Sequence, residues 1–321
     1  YLLQYKITKD YKILKKIDII VDWLIQNAVV IDETFGFNRV IEYQSNIGLH
    51  SSYSTLTFIN AIAGELFYDL YLQSSKNKYL ESLQKICNHL VYKTNRISDS
   101  KGICLSYRNN GNDAILNASI LAGKILNKAA KIFDNDEYLY LSLEILENTL
   151  AKQNKDGSWY YSHINGHPYK KQIDFHQAYI LDGIRGYENI NQNSLLKERD
   201  LRYKKGLIFY VDKMFDNKMY PYWRYPIKYP IDIHNLSHAI YFFLKYSEDI
   251  KFYYNGYEDR LNKLLSLVIN VFYDNKNNYF YYQNYFGIKI KHNFLRWNNV
   301  WTLLALTQYL LVDENTLLNK W

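Results

Sequence analysis

A long internal repeat constrains the fold of this chain more than any other feature. Each copy has the same order: an Asp/Asn turn, a short aromatic segment that alternates like a strand, a polar loop, an apolar helix and a more charged helix. The clearest copy runs from NKDGSWYYS at 154–162 into IDFHQAYILDGI at 173–184. Aligning the starts of the apolar helices superposes, at nearly constant spacing, His50, Asp113, His176, His234 and Asn298. Such regular spacing is typical of stacked helical hairpins.

The helices of the repeat fall into two classes. Amphipathic, charged segments with one apolar stripe belong on the outside, and they lie at 11–26, 79–93, 137–153, 195–215 and 257–273. The helices that start near residues 50, 113, 176, 234 and 298 are apolar nearly all round beyond their first turn, which is typical of helices buried on both faces.

Alternating inner and outer helices predict an all-α fold, an α/α barrel (toroid) of about five to six helical hairpins with short aromatic β-hairpin-like strands at one rim. No stretch has the composition of an interdomain linker, so we expect one domain over residues 1–321. Only five inner helices are visible and the sequence starts on an outer helix. A six-hairpin ring would therefore need a partner helix upstream of Tyr1 or an irregular closure.

Composition excludes several classes of protein. The 321 residues are 48% apolar and 22% charged, which is enough for a large core and rules out disorder. Apolar stretches are interrupted well before the roughly 18 to 20 residues of a membrane span. Lys and Arg are scattered without a run longer than two, so the net charge of +7 predicts no nucleic-acid partner but permits an anionic substrate. Cys87 and Cys104 lack CxxC spacing and are expected to pack in the core.

The start of the sequence at Tyr1 rather than Met leaves room upstream for a signal peptide, a membrane anchor or a further domain. The compartment is therefore weakly constrained, and the cytoplasm is the one we favour.

The repeat also carries a family resemblance. Gln153, Asp156, Gly157, Ser158 and Trp159 resemble the Gln-and-Trp repeat motif of terpene cyclases, which in that group is structural and ties an outer helix to its turn. Together with the order of elements, this motif makes the chain similar to the α/α-toroid proteins: six-hairpin glycosidases, polysaccharide lyases and epimerases, and the terpenoid cyclase and prenyltransferase group. The acidic cyclase motifs DxDD and DDxxD are absent, and neither cysteine lies near a zinc-type His pattern. These departures favour the carbohydrate-active branch.

Candidate catalytic residues lie at the first turns of the inner helices, which line one mouth of the cavity in such a barrel. The duplicated pairs IDFH at 173–176 and IDIH at 231–234 place Asp174, His176, Asp232 and His234 there, and Asp113 occupies a related position. We predict that the two pairs and Arg296 face one polar pocket, with Trp223 and Tyr222 at its wall. Capping of the helix accounts for each Asp singly, but a cap needs no histidine. Each histidine has a structural alternative, a bond to a neighbouring hairpin.

Substrate-binding candidates surround this ring, because aromatic faces stack on sugar rings and arginine forks match carboxylates or sulfates. They are His50, Tyr107, Arg108, Trp159, Tyr222, Trp223, Arg224, Arg296, Trp297 and Asn298. The alternative is that these rings simply plug the cavity. Short metal-ligand spacing is missing, so we expect no metal and no other cofactor.

These residues predict a carbohydrate-active enzyme that acts on a polysaccharide or oligosaccharide in the central cavity. A glycoside hydrolase needs two carboxylates about 5 to 9.5 Å apart, whereas a lyase or epimerase needs a base and a cation. The excess of His, Tyr and Arg over carboxylates favours the lyase or epimerase. The competing class is a non-catalytic glycan-binding or scaffold protein, and a terpenoid cyclase-like enzyme is the least favoured alternative.

Overall fold

The structure, a computed structural model, describes residues 1–38, 42–45, 48–50, 54–164 and 167–318. Twelve α-helices lie within these ranges: α1 Leu2–Thr8, α2 Tyr11–Gln26, α3 Thr57–Ser74, α4 Asn77–Tyr92, α5 Leu116–Phe133, α6 Asp136–Ala151, α7 His176–Arg185, α8 Asn193–Lys213, α9 Ile233–Lys245, α10 Ser247–Tyr253, α11 Tyr257–Leu267 and α12 Val300–Leu318. Single π-helical turns follow α11 and precede α12, at Val268–Phe272 and Leu295–Asn299.

Short strands lie between the helices and pair only antiparallel among the described residues. They are β1 Val29–Ile31, β2 Thr34–Gly36, β3 Tyr43–Ser45, β4 Gly48–His50, β5 Arg96–Asp99, β6 Gly102–Leu105, β7 Ala114–Ile115, β8 Ser162–Ile164, β9 His167–Lys170, β10 Ile231–Asp232, β11 Tyr273–Asp274, β12 Tyr279–Phe280, β13 Gln283–Tyr285 and β14 Ile288–Ile290. Two sheets have three strands, in the orders β7-β8-β9 and β10-β13-β14.

The chain divides into two compact units. One contains residues 24–206, and the other contains residues 1–23 together with 207–321, so the boundaries fall within α2 and α8. The single domain expected from the sequence stays a prediction.

Helix α5 is the centre of the unit formed by residues 24–206. It packs against α3, α4, α6 and α7, and most of its residues are buried. Lys124 of α5 is itself buried, and its Nζ donates to Glu65 Oε1 of α3 at 2.8 Å and to Asp182 Oδ2 of α7 at 2.7 Å. A buried ion network therefore joins three consecutive inner helices of the repeat.

In the other unit, α12 packs against α9 and α1. Helix α9 is buried along nearly its whole length from Ile233, and α7 of the first unit is buried from Gln177 to Ile184. The sequence prediction that these two helices are inner helices is confirmed.

Two predicted helix starts are wrong. The helix expected at His50 begins at Thr57, and the one expected at Asp113 begins at Leu116. The backbone before each helix stays extended because it is paired: Thr57 N donates to Tyr107 O at 2.9 Å, and Tyr107 N donates to Asp113 O at 2.8 Å. The starts near 176 and 234 are confirmed, and the fifth helix begins at Val300 after a π-helical turn that contains residue 298.

A buried polar side chain near the start of each inner helix holds the aromatic segment of its own repeat. Asn60 Oδ1 accepts from Phe37 N at 2.6 Å, and Ser119 Oγ accepts from Leu105 N at 2.9 Å. The same role falls to the amides in the later repeats: Gln177 with the backbone of Trp159, Asn235 with Tyr222 O, and Asn298 with Phe280 O. These bonds satisfy backbone groups that no strand partner reaches.

The Gln-and-Trp motif is built into the same unit as α6 and α7. Gln153 Nε2 donates to Gly157 O at 3.0 Å and to Arg202 O at 2.8 Å. Trp159 is fully buried and its Nε1 donates to Thr149 O at 2.8 Å. Gly157 has φ +100°, and a Cβ there would lie 2.5 Å from Lys205 O, so only glycine fits this turn. The motif packs the end of α6 against the middle of α8.

Candidate functional site

Asp174 and His176 form a hydrogen-bonded pair at the start of α7. Asp174 Oδ1 lies 2.7 Å from His176 Nδ1 and also accepts from His176 N at 3.0 Å. The carboxylate thus orients the imidazole and the first turn of the helix together. With Nδ1–H donated to a carboxylate, the Nε2 lone pair is available as a base.

The surroundings of this pair keep the carboxylate ionised. Burial by itself raises the pKa of Asp174, but the charge of a protonated His176, its two hydrogen bonds and a hydrogen bond from Gln172 Nε2 outweigh that effect. The pKa of Asp174 therefore lies below its ordinary value. Phe175 stacks on the imidazole at 4.2 Å between ring centroids, and Tyr161 lies at 4.8 Å. The His176 side chain is 20% exposed, so it is held on its Asp174 side and accessible on another.

Asp113 lies in the same unit, and its carboxylate is paired with Arg108 of the same loop. Arg108 Nη2 donates to Asp113 Oδ1 at 3.0 Å, and Arg108 Nε donates to Oδ2. Such a bidentate pair neutralises the carboxylate. Tyr107 contributes its backbone to the pairing of this segment, as described above. Asp113 and Arg108 are therefore partners of each other.

Asp232 is the centre of a second cluster, in the unit that contains residues 207–321. It caps α9, accepting from His234 N at 2.8 Å on Oδ1. Gln283 Nε2 donates to its Oδ2 at 2.8 Å, and Trp297 Nε1 donates to its Oδ1 at 3.1 Å. Burial raises the pKa of Asp232 to about 6, although these hydrogen bonds oppose the rise. A carboxyl group with that pKa exchanges protons near neutral pH.

The imidazole of His234 is enclosed by two indole rings. It stacks on Trp301 with 4.6 Å between centroids and 17° between planes, and it meets Trp297 edge-on at 4.4 Å. His238, one turn further along α9, also lies against Trp301. His234 differs from His176 in its surroundings, since aromatic faces rather than a carboxylate position the His234 ring.

The other predicted substrate-binding residues of this unit differ in their contacts and in their exposure. Tyr222 accepts from Asn235 through its carbonyl oxygen, and Arg224 lies over the Trp223 ring at 5.8 Å. Arg224 and Arg296 are exposed. Asn298 is fully buried and donates to the carbonyl oxygens of Phe280 and His292.

Two further predicted residues, Trp159 and His50, belong to the unit of residues 24–206. Trp159 is buried in the Gln-and-Trp motif, which agrees with its structural role. His50 is the last residue of β4, paired in register with Tyr43, and its side chain lies outside the described part of the structure. The convergence of the two Asp–His pairs on one pocket stays a prediction, because the pairs lie in different units.

Sequence reasoning missed several residues of both clusters. Gln283 reaches Asp232 because β13 pairs with β10 in the register Asp232↔Gln283, a pairing of distant strands that no local pattern reveals. Trp301 had a signal, since it lies four residues after Trp297 and thus on the same helical face. Gln172 and Tyr161 come from the β8–β9 segment and the residues that flank it.

A polar cavity of about 270 Å³ lies elsewhere in the unit of residues 207–321. The C-terminal end of α8, the following loop and α11 line it, with Asp212, Asp216, Arg260 and Lys263 among the side chains. It contains none of the predicted site residues.

No cluster of three or more metal-ligating side chains was found among the residues that the structure describes. Cys87 and Cys104 are both buried. In the described ranges, no helix is both long and apolar enough to cross a bilayer.

Solved structures of several carbohydrate-active proteins superpose on nearly the whole chain. Cellobiose 2-epimerase from Bacillus thermoamylovorans does so with a TM-score of 0.71 at 9% identity, over 97% of this chain and 84% of that one. A possible member of glycoside hydrolase family 105 from Salmonella enterica reaches 0.66 at 14% identity, over 96% and 80%. A glycosyl hydrolase of family 88 from Bacteroides vulgatus reaches 0.63 at 13% identity, over 97% and 89%.

This chain has the α/α-toroid fold. The predicted fold class and the resemblance to six-hairpin glycosidases and epimerases are thereby confirmed. No protein family and no curated protein matches the sequence. At 9 to 14% identity the likeness to these α/α toroids concerns the fold.

Proposed function

We propose that this α/α toroid is a carbohydrate-active enzyme that removes a proton from a sugar carbon, as a lyase or an epimerase does, with His176 as the general base. The observation that carries the proposal is the contact of 2.7 Å between Asp174 Oδ1 and His176 Nδ1. A buried, ionised carboxylate fixes the tautomer of the imidazole and stabilises the imidazolium that forms when Nε2 takes a proton. Asp174 is then a positioning residue.

The chemistry requires an acidified C–H bond in the substrate. A sugar carbon next to a carbonyl or carboxyl group supplies one, because the electron pair left behind delocalises onto the neighbouring oxygen. An epimerase then delivers a proton to that carbon from an acid on the opposite face. A lyase instead breaks the bond between the neighbouring carbon and the glycosidic oxygen, leaving a double bond, and the departing oxygen takes up a proton. Both reactions begin with the same transfer to His176 Nε2.

Structural similarity supports a carbohydrate substrate. Proteins that superpose with TM-scores from 0.63 to 0.71 include a cellobiose 2-epimerase, a glycosyl hydrolase of family 88 and a possible member of family 105. The aromatic side chains around both Asp–His pairs add to this support, since Phe175, Tyr161, Trp297 and Trp301 offer flat apolar faces beside polar groups.

A glycoside hydrolase is the second candidate, and the pKa of Asp232 favours it. A buried carboxyl group with a pKa of about 6 is suited to protonate a departing glycosidic oxygen. In that reaction Asp232 is the general acid, and a second carboxylate activates water or attacks the sugar.

Product analysis separates these functions. The protein is incubated with cellobiose and with a galacturonate oligosaccharide, and products are followed by proton NMR and by reducing-end assay. New anomeric signals without new reducing ends indicate epimerisation, an unsaturated product indicates a lyase, and saturated products with new reducing ends indicate hydrolysis. Loss of the reaction in His176→Ala supports the base, and loss only in Asp232→Asn supports the hydrolase. Binding without any turnover favours the non-catalytic glycan-binding alternative.

A further inference from the structure

The network of Lys124, Glu65 and Asp182 shows which faces of three inner helices meet. Because Lys124 of α5 reaches both Glu65 of α3 and Asp182 of α7, these side chains share the space in front of α5. Seven residues make almost two helical turns, so the residue seven positions before each of them lies on the same face, about 10 Å nearer the start of the helix. Those residues are Phe58, Asn117 and Phe175, the last with helical backbone angles just before α7. The same space therefore continues to the level of His176, which begins α7.

Aromatic side chains of α3 and α7 meet at this level. The Phe58 ring lies edge-on to the Tyr179 ring, with 5.4 Å between centroids. The Tyr179 ring in turn lies 6.0 Å from the His176 ring and 6.1 Å from the Phe175 ring. Phe58 is therefore two ring contacts away from the proposed base, and it is only partly buried. Ile62, four residues later on the same side of α3, is 42% exposed, so this side of the helix is open to solvent.

Asn117 places an amide in this space without a protein partner. The residue is only 4% exposed, and within the described ranges its Oδ1 accepts no hydrogen bond. A buried amide oxygen without a donor destabilises the helix that carries it, so the fold alone does not account for Asn117. A ligand hydroxyl group that donates to this oxygen supplies the missing partner. Such local conflicts with stability are typical of functional sites.

The charges in this unit favour a neutral ligand over an acidic one. The ion network two turns below has two carboxylates for one ammonium group, and Lys124 is buried whereas the side chains of Glu65 and Asp182 are 28% and 13% exposed. Asp174 adds a further carboxylate at the level of the proposed base. Arg108 is neutralised by its bidentate carboxylate partner. An acidic sugar in this space would meet more carboxylates than cations, which disfavours its binding.

We propose that Phe58 and Asn117 form the subsite for the reacting sugar beside His176, and that this sugar is neutral. The C–H face of the sugar ring stacks on Phe58, and one hydroxyl group donates to Asn117 Oδ1. The inference rests on the proposed function and names its substrate class. In a neutral sugar the acidified C–H bond is the one beside the open-chain carbonyl group, whereas a uronate offers the one beside its carboxylate. A neutral substrate therefore favours the epimerase over the lyase.

The test uses Phe58→Leu, which removes the ring and keeps an apolar side chain, and Asn117→Leu, which removes the amide at nearly constant volume. Calorimetric titrations of the full chain, in a His176→Ala background that prevents turnover, compare cellobiose with digalacturonate. Phe252→Leu and Asn77→Leu are the matched controls, because both residues are exposed and lie on other helices, α10 and α4. Thermal melting is measured for every variant.

We expect cellobiose to bind about tenfold more tightly than digalacturonate, or better still. Phe58→Leu and Asn117→Leu should each weaken cellobiose binding by about tenfold or more, and the two controls should not. Asn117→Leu should melt at the temperature of the parent or above it, because the amide it removes has no protein partner.

The inference is overturned if both variants bind cellobiose as tightly as the parent, or if digalacturonate binds as tightly as cellobiose. A large fall in the melting temperature of Asn117→Leu would show that the amide holds the fold, and would also overturn it. Turnover of digalacturonate that His176→Ala abolishes would overturn the neutral subsite while supporting the proposed function. If neither disaccharide binds, the subsite is overturned, and the product analysis described above decides the proposed function separately.

Discussion

Asp174 Oδ1 lies 2.7 Å from His176 Nδ1, the ring atom of the residue that begins the inner helix α7. The two residues are separated by a single position in the sequence, so the helix start itself fixes their geometry. The same spacing recurs at Asp232 and His234, but there the carboxylate bonds the backbone of the histidine and its ring stacks on Trp301. One sequence pattern therefore yields an imidazole oriented by a carboxylate in one unit and a carboxyl group with a pKa of about 6 in the other.

The pKa of Asp232 should respond to its hydrogen-bond donors. Burial raises this pKa to about 6, and the bonds from Gln283 and Trp297 limit the rise. Trp297→Phe removes one donor and retains the ring, so the pKa of Asp232 should rise further. Carbon-13 NMR of labelled Asp side chains measures it, with Trp223→Phe as the matched control. A pKa that stays the same or falls in Trp297→Phe would contradict this assignment.

The starts of the later inner helices could be predicted from the sequence by aligning polar residues. A different set of residues, three glycines, would also have given the starts of the first two. Gly64, Gly123 and Gly183 are each the eighth residue of their helix, in α3, α5 and α7. Each permits a close neighbour: an added Cβ would meet Ile125, Tyr187 and Ile120 respectively at 3.0 Å or less. Aligning these nearly evenly spaced glycines gives the observed helix starts, whereas aligning polar residues displaced the first two.

The candidate site was less accessible to sequence reasoning, for a physical reason. Asp174 and His176 are close together on one turn, so their pattern is local and visible. Gln283 reaches Asp232 only through strand pairing. Asp113 forms its hydrogen bonds with Arg108. Hydrogen bonds between segments far apart in the chain depend on the register of short strands, which local composition does not encode.

Gln153 should be important for stability and not for catalysis. Gln153→Ala leaves the carbonyl oxygens of Gly157 and Arg202 without their donor, which should lower the free energy of unfolding by about 1 to 3 kcal/mol. Chemical denaturation measures the loss, and Gln26→Ala, an exposed glutamine at the end of α2, is the matched control. A variant that is as stable as the parent but inactive would refute a structural role for the motif.

Lys124 should be among the residues whose substitution lowers the free energy of unfolding most. Lys124→Met leaves the carboxylates of Glu65 and Asp182 close together without their cation, and we expect a loss of about 3 to 5 kcal/mol in unfolding free energy. Lys263→Met is the control, since Lys263 forms an exposed pair with Asp259 worth less than about 0.5 kcal/mol. Equal stability losses in the two variants would argue against the buried network.

His89 should make the fold sensitive to acid. Burial, with a smaller effect of Lys93, lowers the pKa of His89 to about 4, while Thr55 Oγ1 and Thr34 Oγ1 contact its two ring nitrogens. The unfolded chain, with a pKa of ~6.5, binds the proton more tightly, so stability is complete above that value and falls as the pH drops toward 4. The loss attributable to His89 approaches about 3 kcal/mol. His89→Gln should flatten the pH dependence of unfolding, and parallel curves for variant and parent would contradict the assignment.

Hydrogen exchange at the substrate carbon shows whether His176 removes the proton. The protein is incubated in D₂O with the sugar found to be turned over, and deuterium incorporation is followed by NMR for the parent, His176→Ala, Asp174→Asn and the exposed-histidine control His292→Ala. We expect His176→Ala to slow exchange and turnover by about 10² to 10⁴-fold, with a melting temperature within a few degrees of the parent. Asp174→Asn should slow both less, and His292→Ala should change neither. Undiminished exchange in a folded His176→Ala protein would contradict the assignment of His176 as the base.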